Sequence, residues 1–286
     1  MTSYSVIIPA LNEEEGISDV LRRVSALAPR PEIIVVDDGS TDATRQKAEE
    51  AGATVLHHPA PAGYGRSLKD GIRAAKNEIV CITDADGTYP IEMIPTLVAD
   101  IERGFDMSVG ARTGRHYRGT FLKMPARIVF QWLVEFTTGR HIPDINSGLR
   151  AMKRSDVLAA EHDICNGFSF TTTITLIELL TGKIVNYTPI PYEKRAGRSK
   201  VKIIRDSLRT LQYIVEVIAT YNPLKLFVLL SGFLGVLSIL SVAEFLVFLE
   251  PWFLIFAAVF LVGSFLLFGL GLHAHVNARS SRLTRG

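Results

Sequence analysis

The chain has 286 residues, with 31 Lys and Arg against 29 Asp and Glu, for a net charge of +2. That near balance lacks the basic excess by which nucleic-acid binders attract phosphate backbones. Its 2 cysteines, Cys81 and Cys165, offer no disulfide framework and fit a reducing compartment.

The elements follow in order. Met1-Thr2-Ser3-Tyr4-Ser5 carries no basic n-region with an apolar stretch behind it, so no signal peptide is expected. Val6-Ile7-Ile8-Pro9 reads as a short strand. Asn12-Glu13-Glu14-Glu15 should open a helix to about Leu27, its acids favoured by the helix dipole. Glu32–Val36 is a second apolar strand, ending in Asp37-Asp38-Gly39-Ser40-Thr41-Asp42. Ser40 or Thr41 can cap the next helix. Asp37 and Asp38 are not needed for capping, and two acids at a strand end suit a ligand's ring nitrogens or hydroxyls. Ala53–His57 is a third strand. Gly63-Tyr64-Gly65-Arg66 then enters a helix to about Ala75. Those glycines fit an ordinary turn better than a phosphate cradle, since no Walker or dinucleotide pattern surrounds them.

The stretch Glu78–Ile82 is a fourth strand, and it stops at Asp84-Ala85-Asp86-Gly87. Ligands of open α/β sheets collect at the carboxyl ends of strands. Two carboxylates one residue apart at such an end can share a Mg²⁺ with substrate phosphates. A solvated turn uses the same residue types, so the tripeptide alone does not decide. A helix from about Ile91 to Ile101 and a strand at Phe105–Val109 follow. Strands alternating with helices imply a parallel, doubly wound sheet.

Beyond Gly110 the pattern changes. Arg112, Arg115, Arg118 and Lys123 form a basic stretch, and arginine's planar fork suits phosphate. A helix is expected over 119–138, with Phe121, Ile128, Trp132 and Phe136 in one stripe. Pro143–Arg150 is a polar loop into a short strand. Phe168-Ser169-Phe170 leads into a helix with Glu178, and Lys183–Pro189 is a further strand. Tyr192–Lys200 is a basic loop. Val201–Thr220 reads as an amphipathic helix, whose basic side favours an anionic membrane surface.

From Leu224 to Leu272 the chain is almost wholly apolar, broken only at Glu250-Pro251. The second run, about 21 residues, spans roughly 31 Å as a helix, matching a hydrocarbon core of about 30 Å. The connection is too short to hold a domain, so the two spans form a hairpin. Lys194, Arg195, Arg198, Lys200, Lys202, Arg205 and Arg209 precede it, and Arg279, Arg282 and Arg285 follow it. Both ends are therefore expected in the cytoplasm. Glu244, near the far end of the first run, is expected to reach the interface.

Five stretches in this order resemble family 2 glycosyltransferases of the GT-A fold. They are Val6-Ile7-Ile8-Pro9-Ala10-Leu11-Asn12-Glu13, Val35-Val36-Asp37-Asp38-Gly39-Ser40, Asp84-Ala85-Asp86, Asn146-Ser147-Gly148-Leu149-Arg150 and Gly197-Arg198-Ser199-Lys200. The likeness is greatest to polyprenyl-phosphate glycosyltransferases, the dolichol-phosphate mannose synthase and GtrB-like group. The resemblance implies an α/β catalytic domain with a Rossmann-like, mostly parallel sheet and a C-terminal two-helix transmembrane hairpin. The division expected is 1–200 for the glycosyltransferase domain, 201–222 for a juxtamembrane amphipathic helix, 223–273 for the hairpin and 274–286 for a basic cytoplasmic tail.

The resemblance also implies roles. Pro9, Leu11, Glu13, Val36 and Asp38 would line the nucleotide pocket. Asp84, Ala85 and Asp86 would meet the nucleotide sugar, with Asp84 and Asp86 holding Mg²⁺ or Mn²⁺. Arg112 and Ser147 would approach the lipid phosphate. Arg195 and Lys200 would close over the diphosphate. Asp86, Arg112, Ser147 and Arg195 form the expected catalytic set. Two positions depart from the family: Thr88 stands where mannose synthases have a metal-binding glutamine, and Pro143 where an arginine is common.

The implied reaction is inverting transfer of a hexose from a nucleotide sugar, UDP-glucose or GDP-mannose, to a polyprenyl phosphate. A lipid phosphate is already anionic at neutral pH and needs no strong general base. A sugar-hydroxyl acceptor would need one, and Asp144 is the residue to hand. The glutamine-arginine-tryptophan signature of processive synthases is absent. A membrane scaffold with a retired domain is a further alternative, opposed by the intact Asp84 and Asp86. A nucleotidyltransferase would need a glycine-rich N-terminal loop that is missing. The expected location is the cell membrane, with two spans and a cytoplasmic catalytic domain, and the hairpin offers a route to a homo-oligomer.

Overall fold

The computed structural model describes residues 2–113, 124–192 and 203–283. It divides into two compact units, Met1–Ile214 and Val215–Gly286. The first is built on a seven-stranded sheet of order β3-β2-β1-β4-β6-β5-β7. Its strands are β1 (Tyr4–Ala10), β2 (Glu32–Asp37), β3 (Thr54–His57), β4 (Ile79–Ile82), β5 (Met107–Thr113), β6 (Arg150–Lys153) and β7 (Val185–Pro191). Its helices are α1 (Ile17–Ser25), α2 (Thr44–Glu50), α3 (Tyr64–Ala74), α4 (Ile94–Glu102), α5 (Met124–Thr138), α6 (Arg154–Ala159) and α7 (Phe170–Leu180), and α8 (Ile203–Tyr221) runs from the first unit into the second.

The central strand β1 is buried along its whole length. Alternate side chains of a strand serve opposite faces. Tyr4, Val6 and Ile8 pack into a core with Ile17, Val20 and Leu21 of α1 and Ile94 and Leu97 of α4. Ile7 serves the other face, where α3 lies close enough that a Cβ on Gly71 would stand 2.5 Å from Ile7 Cγ2. Each fully buried Ile or Val contributes about 1.5–3 kcal/mol, so β1 anchors both layers.

All strand pairs are parallel except those of β6, which runs against both β4 and β5. In that register Arg150, the first residue of β6, faces Ile82, the last residue of β4. The loop before β6 is thereby delivered to the end of β4 from which Asp84 and Asp86 project. A continuously parallel sheet would have sent it to the opposite edge.

Several local expectations shift. The first helix begins at Ile17, not near Asn12. Asn12 is left-handed, at φ 51°, and the following amides turn to the neighbouring loop: Glu13 N donates to Thr44 Oγ1 and Glu14 N to Asp42 Oδ2. The capping expected of Ser40 or Thr41 is not seen. Ser40 Oγ accepts from Asn12 N, while Asp42 Oδ1 takes both the N–H and the hydroxyl of Thr44 at the start of α2. A short 3-10 turn, Ile91–Met93, precedes α4. Strands β5 and β7 each begin two residues later than predicted, at Met107 and Val185.

In the second unit α9 (Pro223–Phe248) and α10 (Pro251–Leu283) pair along their lengths. Their apolar stretches, Pro223–Phe248 and Pro251–Ala278, each contain an 18-residue window of high mean hydropathy, 2.5 and 2.7, and are long enough to cross a membrane. Leu249 turns the chain between them in a left-handed conformation, φ 56°. Ser231 Oγ donates to the Ser264 carbonyl and Ser264 Oγ to the Ser231 carbonyl, both at 2.9 Å. Ser238 Oγ donates to the Ala257 carbonyl at 2.8 Å. Small hydroxylic residues of this kind bring apolar helices into close contact.

Candidate active site

Asp84 and Asp86 stand on the loop leaving β4. The Tyr64 hydroxyl, from the first turn of α3, donates to Asp84 Oδ1 at 3.0 Å. Gly148 backs the same carboxylate: a Cβ there would lie 3.1 Å from both of its oxygens. Asp86 Oδ1 accepts the N–H of Thr88 at 3.1 Å and its hydroxyl at 2.7 Å. Thr88 thus braces Asp86. Gly87 closes this turn at φ 72°, a backbone region that glycine enters without penalty. Among the described residues no group of three or more His, Cys, Asp or Glu side chains could hold a metal ion. The carboxylate pair fits a cation that takes its remaining oxygens from substrate phosphate and water, which is how Mg²⁺ commonly binds.

Asp37 and Asp38 end β2. Asp38 N donates to the Ala10 carbonyl at 2.8 Å, tying the ends of β1 and β2 together. Pro9 and Val36 are buried there, and Leu11 and Glu13 are half-buried. The Asp38 carboxylate accepts the backbone N–H groups of Ala62 and Gly63, at 2.8 and 2.9 Å, and also meets His58 Nδ1 at 2.8 Å. His58 Nε2 faces Asp70 Oδ2 at 3.2 Å. Asp37 is held by Ser40 N and His57 Nδ1. The two acids shape this edge by fastening the β3–α3 connection.

The loop before β6 brings the next group. Arg112 grips Asp144 through both oxygens, Nε to Oδ2 at 2.7 Å and Nη2 to Oδ1 at 2.9 Å. Burial pushes the Asp144 carboxyl up, but the Arg112 hydrogen bonds and charge, with the N–H groups of Arg112 and Asn146, outweigh it. The net effect holds Asp144 below the usual carboxylate range. Arg112 also lies over the Tyr192 ring, 5.3 Å from its centroid. Tyr192 meets Tyr89 edge-on at 5.3 Å, and the Tyr89 hydroxyl accepts Gly148 N at 2.7 Å. A continuous line of contacts therefore runs from Asp144 to Asp84.

Ser147 is buried, and its hydroxyl donates to the Gly110 carbonyl at 2.6 Å. In this structure it braces the loop and turns away from solvent. Arg150 is fully buried, bonded to the carbonyls of Ile145, Ser147 and Thr171 and to Thr175 Oγ1. It fixes that loop from below with a charge that arginine does not give up. Arg195 and Lys200 lie outside the described residues.

Tyr64, His58, Thr88 and Gly148 were not singled out for these contacts by sequence reasoning. The Gly63-Tyr64-Gly65 signal was visible, but its glycines serve packing. A Cβ on Gly63 would meet the Asn166 carbonyl at 2.7 Å and one on Gly65 the Cys165 carbonyl at 2.2 Å.

Residues 5–158 match the family described as glycosyl transferase family 2. The chain belongs to glycosyl transferase family 2. It is 30% identical over 209 residues to a dolichyl-phosphate hexose transferase of Haloferax volcanii, covering 70% of this chain and 90% of that one. It is 32% identical over 256 residues to an undecaprenyl-phosphate 4-deoxy-4-formamido-L-arabinose transferase of Pseudomonas fluorescens, covering 84% and 71%. Its fold is similar to that of glucosyl-3-phosphoglycerate synthase from Mycobacterium tuberculosis, solved with Mn²⁺, UDP-glucose and phosphoglyceric acid. That likeness has a TM-score of 0.63 at 23% identity and covers 76% of this chain and 79% of the other. The expected GT-A-like, mostly parallel α/β architecture is thus present, and this family 2 protein is a glycosyltransferase.

Proposed function

We propose that this glycosyltransferase moves a hexose from a nucleotide sugar to a polyprenyl phosphate at a membrane surface. The observation that carries the reading is the Arg112–Asp144 pair. A hydroxyl acceptor would need Asp144 as base, and a carboxylate engaged through both oxygens by Arg112 is poorly placed to take a proton. A phosphate acceptor needs none. The names of the two relatives and the two apolar helices support the same acceptor class.

In this proposal the nucleotide lies against Pro9, Leu11, Glu13 and Val36, with Asp38 shaping the pocket through the Ala62–Gly63 backbone that it holds. Asp84, Ala85 and Asp86 meet the diphosphate end. A divalent cation there, Mg²⁺ or Mn²⁺, supplies Lewis-acid stabilisation to the departing diphosphate. Arg195 and Lys200 supply positive charge for the two phosphate groups, Arg112 approaches the acceptor phosphate from its pair with Asp144, and Ser147 keeps the acceptor loop in shape. An acceptor phosphate oxygen forms a bond to C1 while the bond from C1 to the diphosphate oxygen breaks. The nucleoside diphosphate leaves, no proton moves, and the anomeric centre inverts. Residues 1–200 carry the chemistry, 201–222 lie along the membrane, 223–273 span it, and 274–286 form a basic tail on the cytoplasmic side.

The test is a panel of sugar nucleotides, UDP-glucose and GDP-mannose first, incubated with polyprenyl phosphate and read by mass spectrometry. A lipid-phosphate monosaccharide is expected. Asp86→Asn should keep the fold and lose transfer roughly a hundredfold, the scale seen when a stabiliser of developing charge is removed. Full turnover in excess chelator, or label appearing only in a water-soluble polymer, would count against the reading.

A further inference from the structure

The loop Ile164–Phe168 is fastened to the start of α3 with unusual care. Arg66 N donates to the Asn166 carbonyl at 3.0 Å. Lys69, itself buried, donates to the Ile164 carbonyl at 2.5 Å and to Asn166 Oδ1 at 2.8 Å. Gly167 N donates to Cys165 Sγ at 3.1 Å. Gly63 and Gly65 leave room for the loop's carbonyls, as described above. What this fixed loop presents is an exposed ring. Phe168 is 56% exposed, and its inner face stacks on Tyr64 at 5.8 Å between centroids and 14° between planes.

Tyr64 is the residue whose hydroxyl bonds Asp84. The open face of Phe168 therefore stands one stacked ring away from the carboxylate assigned to the diphosphate. A hexose attached through C1 to that diphosphate must lie within a few ångströms of it. Thr172, in the first turn of α7, donates to Asn146 Oδ1 at 2.5 Å, and Asn146 is exposed. Pyranose rings carry an apolar C–H face and a polar rim. An exposed aromatic face beside polar groups matches both, and burying that face against C–H groups removes apolar area from water.

We propose that Phe168, backed by Tyr64, is the platform for the apolar face of the transferred hexose, and so a determinant of which sugar is accepted. The inference rests on the donor reading above. Its test uses the full chain in detergent with Mg²⁺, titrated with UDP, UDP-glucose, GDP and GDP-mannose. Phe168→Ala, and Phe168→Leu, which keeps apolar bulk without a ring face, should bind the accepted nucleotide sugar roughly three- to tenfold more weakly than wild type. Both should bind the matching bare diphosphate as wild type does, with an unchanged melting temperature. Phe168→Tyr should restore sugar-nucleotide binding. Equal weakening of the bare diphosphate would overturn the proposal in favour of a base or scaffold contact. Unchanged donor binding with a raised KM for polyprenyl phosphate would overturn it in favour of a lipid contact. If wild type binds neither sugar nucleotide, the donor reading fails first and the platform with it.

Discussion

Arg112 and Asp144 form a two-pronged ion pair beside the proposed acceptor site, with side-chain exposures of 15% and 1%. Removing one partner strands the other. Arg112→Ala should therefore cost about 3 kcal/mol of stability near neutral pH, the scale found for breaking buried pairs. The sign with pH follows from the depressed Asp144 carboxyl. Its contribution is complete above the unfolded carboxylate range and is lost as pH falls through the lower folded value. Chemical denaturation at several pH values should show a smaller acid-side loss in Arg112→Ala than in wild type, because the carboxyl left without its arginine is no longer held down.

Gly148 leaves room for Asp84. Its added methyl would press on both carboxylate oxygens, so Gly148→Ala should disturb that side chain while sparing the sheet. The expected outcome is at least tenfold weaker metal-dependent nucleotide binding, read by calorimetry with and without Mn²⁺, at a nearly unchanged melting temperature. Wild-type binding with a lowered melting temperature would make Gly148 a folding residue only.

Glu178 on α7 is buried, and its Oε2 has no hydrogen-bond partner. Burial first, and then the Asp156 charge, push its carboxyl up to about 7. A raised acid holds its proton more tightly in the folded chain than in the unfolded one. Wild-type stability should fall as pH rises from about 4.5 to about 7, and the loss should be complete above that. Glu178→Gln should remove this limb. It should match wild type near pH 4.5 and exceed it by about 3.5 kcal/mol at pH 8, on the conversion of about 1.4 kcal/mol per unit.

The orientation of the hairpin is open to direct labelling. Single cysteines at Glu250 and Ser281, in a chain whose Cys81 and Cys165 are replaced, should differ in intact cells. An impermeant thiol reagent should reach position 250 and spare position 281, as the flanking charges imply. The reverse pattern would invert the proposed topology.

Much of this was legible in the sequence because the signals were local. Strand-length apolar runs gave β1, β2 and β4, and the acids that follow the last two placed Asp37, Asp38, Asp84 and Asp86 at one edge. The hairpin was visible from hydropathy alone. The contacts that set those acids were not legible, because each partner is distant in sequence. Tyr64 reaches Asp84, Gly148 sits behind it, and His58 bridges Asp38 to Asp70, and no period or spacing announces such pairings. The first helix started late for the same reason. The amides of Asn12, Glu13 and Glu14 are taken by side chains about thirty residues away, a tertiary claim that overrides local helix preference. The pairing of Asp144 with Arg112, 32 residues away, is likewise a tertiary contact that the sequence does not announce.

The reversed strand also sets a timetable for synthesis. β5 has no neighbour in the finished sheet except β6 and β7, both made after it. While the ribosome is still extending the chain, β1 to β4 can already pair with one another, but β5 must wait for Arg150–Lys153 to emerge and slot in between. The edge that carries Asp37, Asp38, Asp84 and Asp86 can therefore exist on a nascent chain before the loop that carries Asp144 and Ser147 does. Folding proceeds in the direction of synthesis as far as β4 and then has to double back. Pauses or stalls introduced between Thr113 and Arg150 should leave a protease-resistant amino-terminal core with β5 still open to cleavage.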